Sequence, residues 1–392
     1  MLISVTFVEW IPHTVTILLA VVTSMALLRS ISSKDGSSSP TSTRQGSEGQ
    51  LPPKHVPYFV IYRALVQLLT VVAILAVDFS IFPRMYAKTH RFGVSLMDSG
   101  VGAIVCSGGL VVGERLVQDR SQGLVRFGRS IRTALPVLFL GFARLLLTRS
   151  VDYEVNVSEY GVHWNFFMTL AFIPIIVSAC FAIFPRTRPG YFGILLVVVH
   201  QALLSWKLED YVLHAPRTDL ISMNKEGVVS TLGYASIYLI SAELGRHFLT
   251  AGNERPRDQV VGFLVKSSFA AWFIHYILTS HLDIQPSRAM ANGAYVVWII
   301  AMGVTLLLGI QVAFISFEWL FATPPAVPLI LCAINKNQLT TFLLANILTG
   351  LVNLSLDTMS VPPVMAFIIL LIYVSVILAT MAVLHSRGVR IA

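Results

Sequence analysis

Residues 57–82 read PYFVIYRALVQLLTVVAILAVDFSIF, and the reading of this run decides the fold. Up to Asp78 it is almost wholly apolar, and about 20 such residues are what a helix needs to cross a hydrocarbon layer about 30 Å thick. Working outward, runs of the same kind recur at 11–28, 94–112, 133–147, 165–184, 191–208, 228–249, 260–278, 291–317, 338–356 and 361–384. With 57–82 they predict about eleven spans. Of the 392 residues 55% are hydrophobic and 12% charged, against about 25% charged in soluble domains. The fold class is therefore all-α, a polytopic transmembrane helix bundle. Residues 316–332, SFEWLFATPPAVPLILC, contain three prolines and read as a further half-span or re-entrant piece.

Residues 1–30 are expected to hold an N-terminal transmembrane helix; it lacks the basic start and small-residue exit of a signal peptide. Residues 31–56 form a Ser/Gly/Pro-rich flexible loop, and 57–392 form the main membrane domain. The net charge of +8 is scattered over short loops with no aromatic-interleaved basic domain, which points to lipid headgroups and to no nucleic acid. Lys and Arg favour the odd-numbered loops and the C-terminus, predicting a cytoplasmic C-terminus and an N-terminus on the far, lumenal side. A sequon at Asn156 falls in a lumenal loop of that scheme. Cys106, Cys180 and Cys332 show no CxxC spacing and read as core thiols. HExxH, GxSxG and Walker patterns are absent from the sequence, which leaves metalloprotease, serine hydrolase and nucleotide-driven pump without support. No metal site is expected.

The unusual polar residues fall in loops of the same predicted side. Asp78 is followed ten residues later by Lys88, with Phe82-Pro83 between; proline disfavours helix at the residue before it, so a turn there brings the lysine back toward the aspartate. A carboxylate at a membrane boundary is costly to ionise without a partner, and one poised in this way can take a proton from a hydroxyl. The plain alternative is a snorkelling charge pair at a helix end. Asp98, just inside a span, is a candidate of the same kind, and the glycines after it permit close helix packing. EYGVHWN (159–165) offers Tyr160, His163 and Asn165 for a sugar or headgroup, or an aromatic belt. Asn224 and Lys225 in NKEG are a polar pair that reads equally as solvated surface. Arg84 can meet a phosphate. Asn346 and Asn353, one heptad apart, line a polar cavity or join neighbouring helices. A transporter or lipid flippase using Asp78, Asp98 and Lys88 as a relay is the rival reading.

Taken in order, AVDFSIFPRMYAKT, SLMDSGVG, EYGVHWNFF, NKEGVVSTLGY and NQLTTFLLANILTGLVNLSLDT resemble the inositol acyltransferases of glycosylphosphatidylinositol (GPI) anchor biosynthesis, the GPI-anchored wall transfer protein and PIG-W family. The resemblance implies a multi-pass endoplasmic-reticulum enzyme that moves a fatty acyl group, usually palmitoyl, from acyl-coenzyme A to the inositol 2-hydroxyl of glucosaminyl-phosphatidylinositol. Acyl-coenzyme A would be a co-substrate, with no permanently bound cofactor. Carried over by motif, the catalytic pair is Asp78 and Lys88, while His163, Asn165, Asn224 and Lys225 line the glycolipid pocket. Family members usually have about thirteen spans of bilayer length, so two N-terminal spans are expected to be missing here, without change to the topological parity. Because coenzyme A is cytosolic, a cavity reaching from that side is expected, with basic residues of 115–132 or Arg144 near its phosphates.

Overall fold

The computed structural model describes residues 56–119, 123–150, 157–185, 187–250, 253–322 and 326–390. The helix expected at 11–28, the loop up to His55 and the sequon asparagine Asn156 lie outside the described residues.

Ten long helices carry the fold. They are α1 (Pro57–Ala76), α2 (Ser99–Gln118), α3 (Gly123–Ser150), α4 (Phe166–Ile183), α5 (Pro189–Leu203), α6 (Lys225–Arg246), α7 (Arg257–Tyr276), α8 (Gly293–Phe321), α9 (Gln338–Ser355) and α10 (Pro363–Ser386). Nine described helices are long and apolar enough to cross a membrane; α2 is the exception, its apolar part being limited to Ser99–Gly113. Every span expected between residues 57 and 384 thus has its helix. Two helices are continued by π-turns, Leu204–Leu208 after α5 and Ile277–His281 after α7. The sole strand pairing among the described residues is the two-residue ladder of Leu249–Thr250 with Asn253–Glu254.

Local chemistry sets several boundaries. α1 opens on Pro57, whose missing N–H costs nothing in the first turn. It ends at Ala76, six residues short of the apolar run, and the chain turns through Asp78–Phe82 before a single 3₁₀ turn at Arg84–Tyr86. Arg84 donates to the Val77 carbonyl at 2.7 Å and to that of Phe79 at 3.4 Å, satisfying acceptors that a helix end leaves over. Of the described residues in 316–332, Ser316–Phe321 completes α8, and Pro328 precedes the short helix Leu329–Lys336.

α1 enters several packing groups, two of which border the Asp78 end. The larger joins α1, α2 and α4–α8 around Phe59, Tyr62, Tyr234, Tyr295 and Ile299. The smaller sets the second half of α1, with Val71, Leu75 and the following Phe79, against Ala345 of α9 and Ala366, Tyr373 and Ile377 of α10. Lipid gives no hydrophobic drive between helices, so close approach at small residues must supply it. A side chain at Gly102 would put its first carbon 2.6 Å from the Ile299 side chain, and one at Gly109 would collide with the Tyr238 carbonyl. α1 and α9 run in parallel at a constant offset: Arg63 bonds Gln338 at 2.6 Å, and Asp78 bonds Asn353 at 2.9 Å.

Alternate connections gather at one end. Gly93 donates to Pro286 O at 2.8 Å, Val162 to Met223 O at 2.9 Å, and Arg84 reaches Met359. The connections after α1, α3, α5, α7 and α9 therefore meet. At the opposite end Tyr58 packs on Phe248, and Lys336 reaches Gly388 O.

Candidate functional site

Asp78 follows the end of α1, at the end where the five connections meet and beside the smaller packing group. Its Oδ2 accepts a 2.9 Å hydrogen bond from the Asn353 amide of α9, and Oδ1 accepts none from the described residues. Burial raises the Asp78 carboxyl above the usual carboxylate range, against the opposing pull of the Asn353 amide and of the Arg84 and Lys88 charges. Among the described residues Asn353 Oδ1 is itself buried without a partner. Spare valence on both side chains at one place marks the corner as different from its surroundings.

Lys88 does not form an ion pair with Asp78, although the proline-induced turn was expected to bring the two together. Its ammonium instead sits 2.8 Å from Glu159 Oε1, contributed by the short helix Val157–Tyr160 before α4. The same oxygen is 3.1 Å from Nη1 of Arg288, and Nε of Arg288 lies 2.9 Å from Oδ1 of Asp98. Arg288 and Asp98 are 5% and 0% exposed, so this is a buried pair. Burial alone would raise the Glu159 carboxyl, but the Lys88 and Arg288 charges outweigh it and hold the group below its ordinary range. Arg288 keeps its proton more tightly than a free arginine because the charges of Glu159 and Asp98 and the phenols of Tyr160 and Tyr234 overcome the cost of its burial.

Several expected site residues are absorbed by structure. Asp98 stands at the N-terminus of α2 without capping it; its oxygens take the Thr89 amide at 3.2 Å, the Ser95 hydroxyl at 2.9 Å and Arg288. Asn165 caps α4 through the Phe167 and Met168 amides and ties it to α3 through the Gly141 carbonyl. Asn224 receives the His163 and Trp164 amides at 2.7 and 2.9 Å, docking 159–165 onto 220–227, and the His163 ring faces its amide at 3.4 Å. Lys225 points its ammonium at the Tyr211 and Ala215 carbonyls, closing the helix Glu209–His214. Asn346 bonds back to Phe342 O within α9. Tyr160 packs beside Phe166 and Phe342, and burial pushes its phenol well above the usual value. Arg84 donates to the Val77 and Phe79 carbonyls just past the end of α1.

The basic residues expected near coenzyme phosphates divide between the two ends. Arg126 lies over the Phe181 ring and donates to Leu116 O, and Arg129 pairs with Asp119, all at the end away from Asp78. Arg144, near the other end of the same helix, acts on Glu159 and Tyr160 instead, which separates it from 115–132. Among the described residues no cluster of three or more His, Cys, Asp or Glu could hold a metal ion.

Glu159 and Arg288 are the members that the sequence did not single out for the site. Arg288 was one unremarked basic residue in DIQPSRAMAN, a short loop between two spans; a single arginine between apolar helices was the available signal.

The chain that brings Asp78, Asp98, Glu159, Asn224, Arg288 and Asn353 to one end matches the model of one protein family, GWT1, over residues 1–384. The chain belongs to the GWT1 family. GPI-anchored wall transfer protein 1 of Yarrowia lipolytica is 37% identical over 359 residues, spanning 86% of this chain and 74% of that protein. The protein of the same name from Gibberella zeae is 36% identical over 374 residues, with the same two shares, 86% and 74%. An uncharacterized protein of Arabidopsis thaliana is 38% identical over 335 residues, spanning 84% of this chain and 74% of its own length. This GWT1 family member is a helical membrane protein with nine described helices long and apolar enough to cross a membrane.

Proposed function

We propose that the protein is an acyl-coenzyme A-dependent inositol acyltransferase of GPI-anchor biosynthesis in the endoplasmic reticulum membrane, with the Asp78 end in the lumen and the C-terminus in the cytoplasm. Its relatives' names speak of GPI-anchored proteins. The observation that carries the chemistry is Asp78: a half-bonded carboxyl, raised by burial, at the meeting of five connections. A base needs a proton affinity drawn toward working pH and an open oxygen; burial raises the Asp78 carboxyl in that direction, and its Oδ1 accepts no hydrogen bond from the described residues.

In the proposed reaction Asp78 takes the proton of the inositol 2-hydroxyl as that oxygen attacks the thioester carbonyl of palmitoyl-coenzyme A. The C–O bond forms, the C–S bond breaks, and the proton passes to the departing thiolate. Asn353 orients the carboxyl through Oδ2 and leaves Oδ1 for the hydroxyl. Lys88, exposed over 43% of its side chain, supplies positive charge where the carbonyl oxygen becomes negative. His163, whose backbone amide Asn224 holds, borders the glucosaminyl-inositol headgroup, and the thioester arrives from the cytoplasmic side.

Membranes carrying matched amounts of wild-type protein, Asp78→Asn or Lys88→Met, incubated with labelled palmitoyl-coenzyme A and glucosaminyl-phosphatidylinositol, test the proposal. Wild type should yield acylated glycolipid and Asp78→Asn essentially none. An Asp78→Asn protein as active as wild type removes Asp78 as base. Glycolipid that changes leaflet without gaining mass would replace the enzyme reading by a flippase.

A further inference from the structure

Glu159 has no part in the transfer scheme, yet one of its oxygens, Oε1, takes Lys88 at 2.8 Å and Arg288 at 3.1 Å. Arg288 is anchored in turn by Asp98 at 2.9 Å, and Asp98 also accepts the backbone amide of Thr89, the residue after Lys88. The backbone that carries the lysine and the carboxylate that receives its ammonium are thus fastened to one buried pair. Asp78 is the other carboxylate within electrostatic reach of Lys88, and its Oδ1 is open.

We propose that Glu159 is a positioning residue: backed by Arg288, its carboxylate holds the Lys88 ammonium off Asp78, leaving Asp78 with an amide partner and an uncovered oxygen. Opposite charges within about 4–6 Å favour the ionised carboxylate and lower its proton affinity. A Lys88–Asp78 ion pair would therefore weaken the base and cover the oxygen that must meet the hydroxyl. Arg288 stabilises the ionised form of Glu159, and Asp98 offsets the arginine's own charge, so the Glu159 carboxylate stays charged for the lysine. The groups facing Glu159 are Lys88, Arg288, Arg144 of α3, Tyr234 of α6 and the adjacent Tyr160. Those facing Asp78 are Lys88, Arg84 and, from α9, Asn353.

The kinetic half of this inference rests on the acyltransferase reading; the test has a half that does not. Full-length protein in membranes is treated with a hydrophobic carbodiimide, which modifies protonated carboxyls, and the modified Asp78 peptide is quantified by mass spectrometry across pH. Glu159→Gln should shift Asp78 labelling to lower pH, carry the acidic limb of acyl transfer with it, and give a several-fold lower rate at neutral pH. Lys88→Gln should shift labelling to higher pH, and the double variant should follow Lys88→Gln. Glu159→Asp, which keeps the charge and shortens the reach, should give a smaller shift than Glu159→Gln and serves if the latter does not fold. An Asp78 labelling curve unmoved in both Glu159 variants, or a downward shift that persists in the double variant, overturns the proposal. Labelling that shifts as expected while wild type forms no acylated glycolipid leaves Glu159 in place and rejects the acyltransferase reading.

Discussion

Asp78 and Asp98 close the two ends of one connection, 77–98, yet the first accepts one side-chain hydrogen bond while the second is bonded through both oxygens to Thr89, Ser95 and Arg288. Both follow or precede a long helix, and both are carboxylates at a membrane boundary. The difference lies in spare valence. A saturated buried polar group fixes a fold, since breaking it strands its partners. A group with an uncovered oxygen and a raised proton affinity is available to a substrate. The same division separates Asn353, with its orphan Oδ1, from Asn165 and Asn224, whose oxygens are occupied by backbone amides.

The sharpest way to break the comparison is to remove each charge. Asp78→Asn is expected to lower acyl transfer by about 10²–10⁴-fold, the usual contribution of a general base, with the protein still eluting as a folded species in detergent. Asp98→Asn is expected to do the reverse, costing about 3–5 kcal/mol by removing the buried charge that pairs with Arg288 Nε, read as a lowered thermal transition and a lost monodisperse peak. If Asp98→Asn folds normally and loses only activity, the division is wrong. Asn224→Ala leaves the His163 and Trp164 amides without an acceptor, about 1–3 kcal/mol for each stranded group, and should show as faster exchange or proteolysis in 159–165.

The smallest effect sharpens the comparison through pH. Because burial holds the Asp78 carboxyl above the usual carboxylate range, the rate should fall as pH drops through that raised value, higher than for an exposed aspartate. The Asn353 amide bonds the charged form and so opposes the raise. Asn353→Leu should move the acidic limb of the rate further up in pH, with a modest change at alkaline pH; a limb that moves down contradicts the assignment.

The spans were legible because twenty apolar residues have few other uses. Asp78 was legible because a carboxylate beside such a run demands a reason. The Lys88 contact was not, since spacing within one loop says nothing of Glu159, seventy-one residues further on, which offers a better site. Asn165 and Lys225 were read as pocket residues because asparagine and lysine bind headgroups and serve helix ends with the same atoms. Asparagine directly before FFMTL was in fact a helix-start signature. Arg288 was hidden because a single arginine shows its partners, Asp98 and Glu159, only once the chain has brought them together.

The parallel seating of α1 on α9 works as a vernier. Arg63 with Gln338, Asp78 with Asn353 and Arg84 with Met359 all fall at a separation of 275 residues, so the two helices are read against each other at both faces of the membrane with the same graduation. One residue inserted into α9 between Gln338 and Asn353 would turn everything beyond it by about 100° and advance it by about 1.5 Å. The Arg63 clasp would still read true while Asn353 came off Asp78, so the spacing of these two helices is itself a setting of the carboxyl proposed as base.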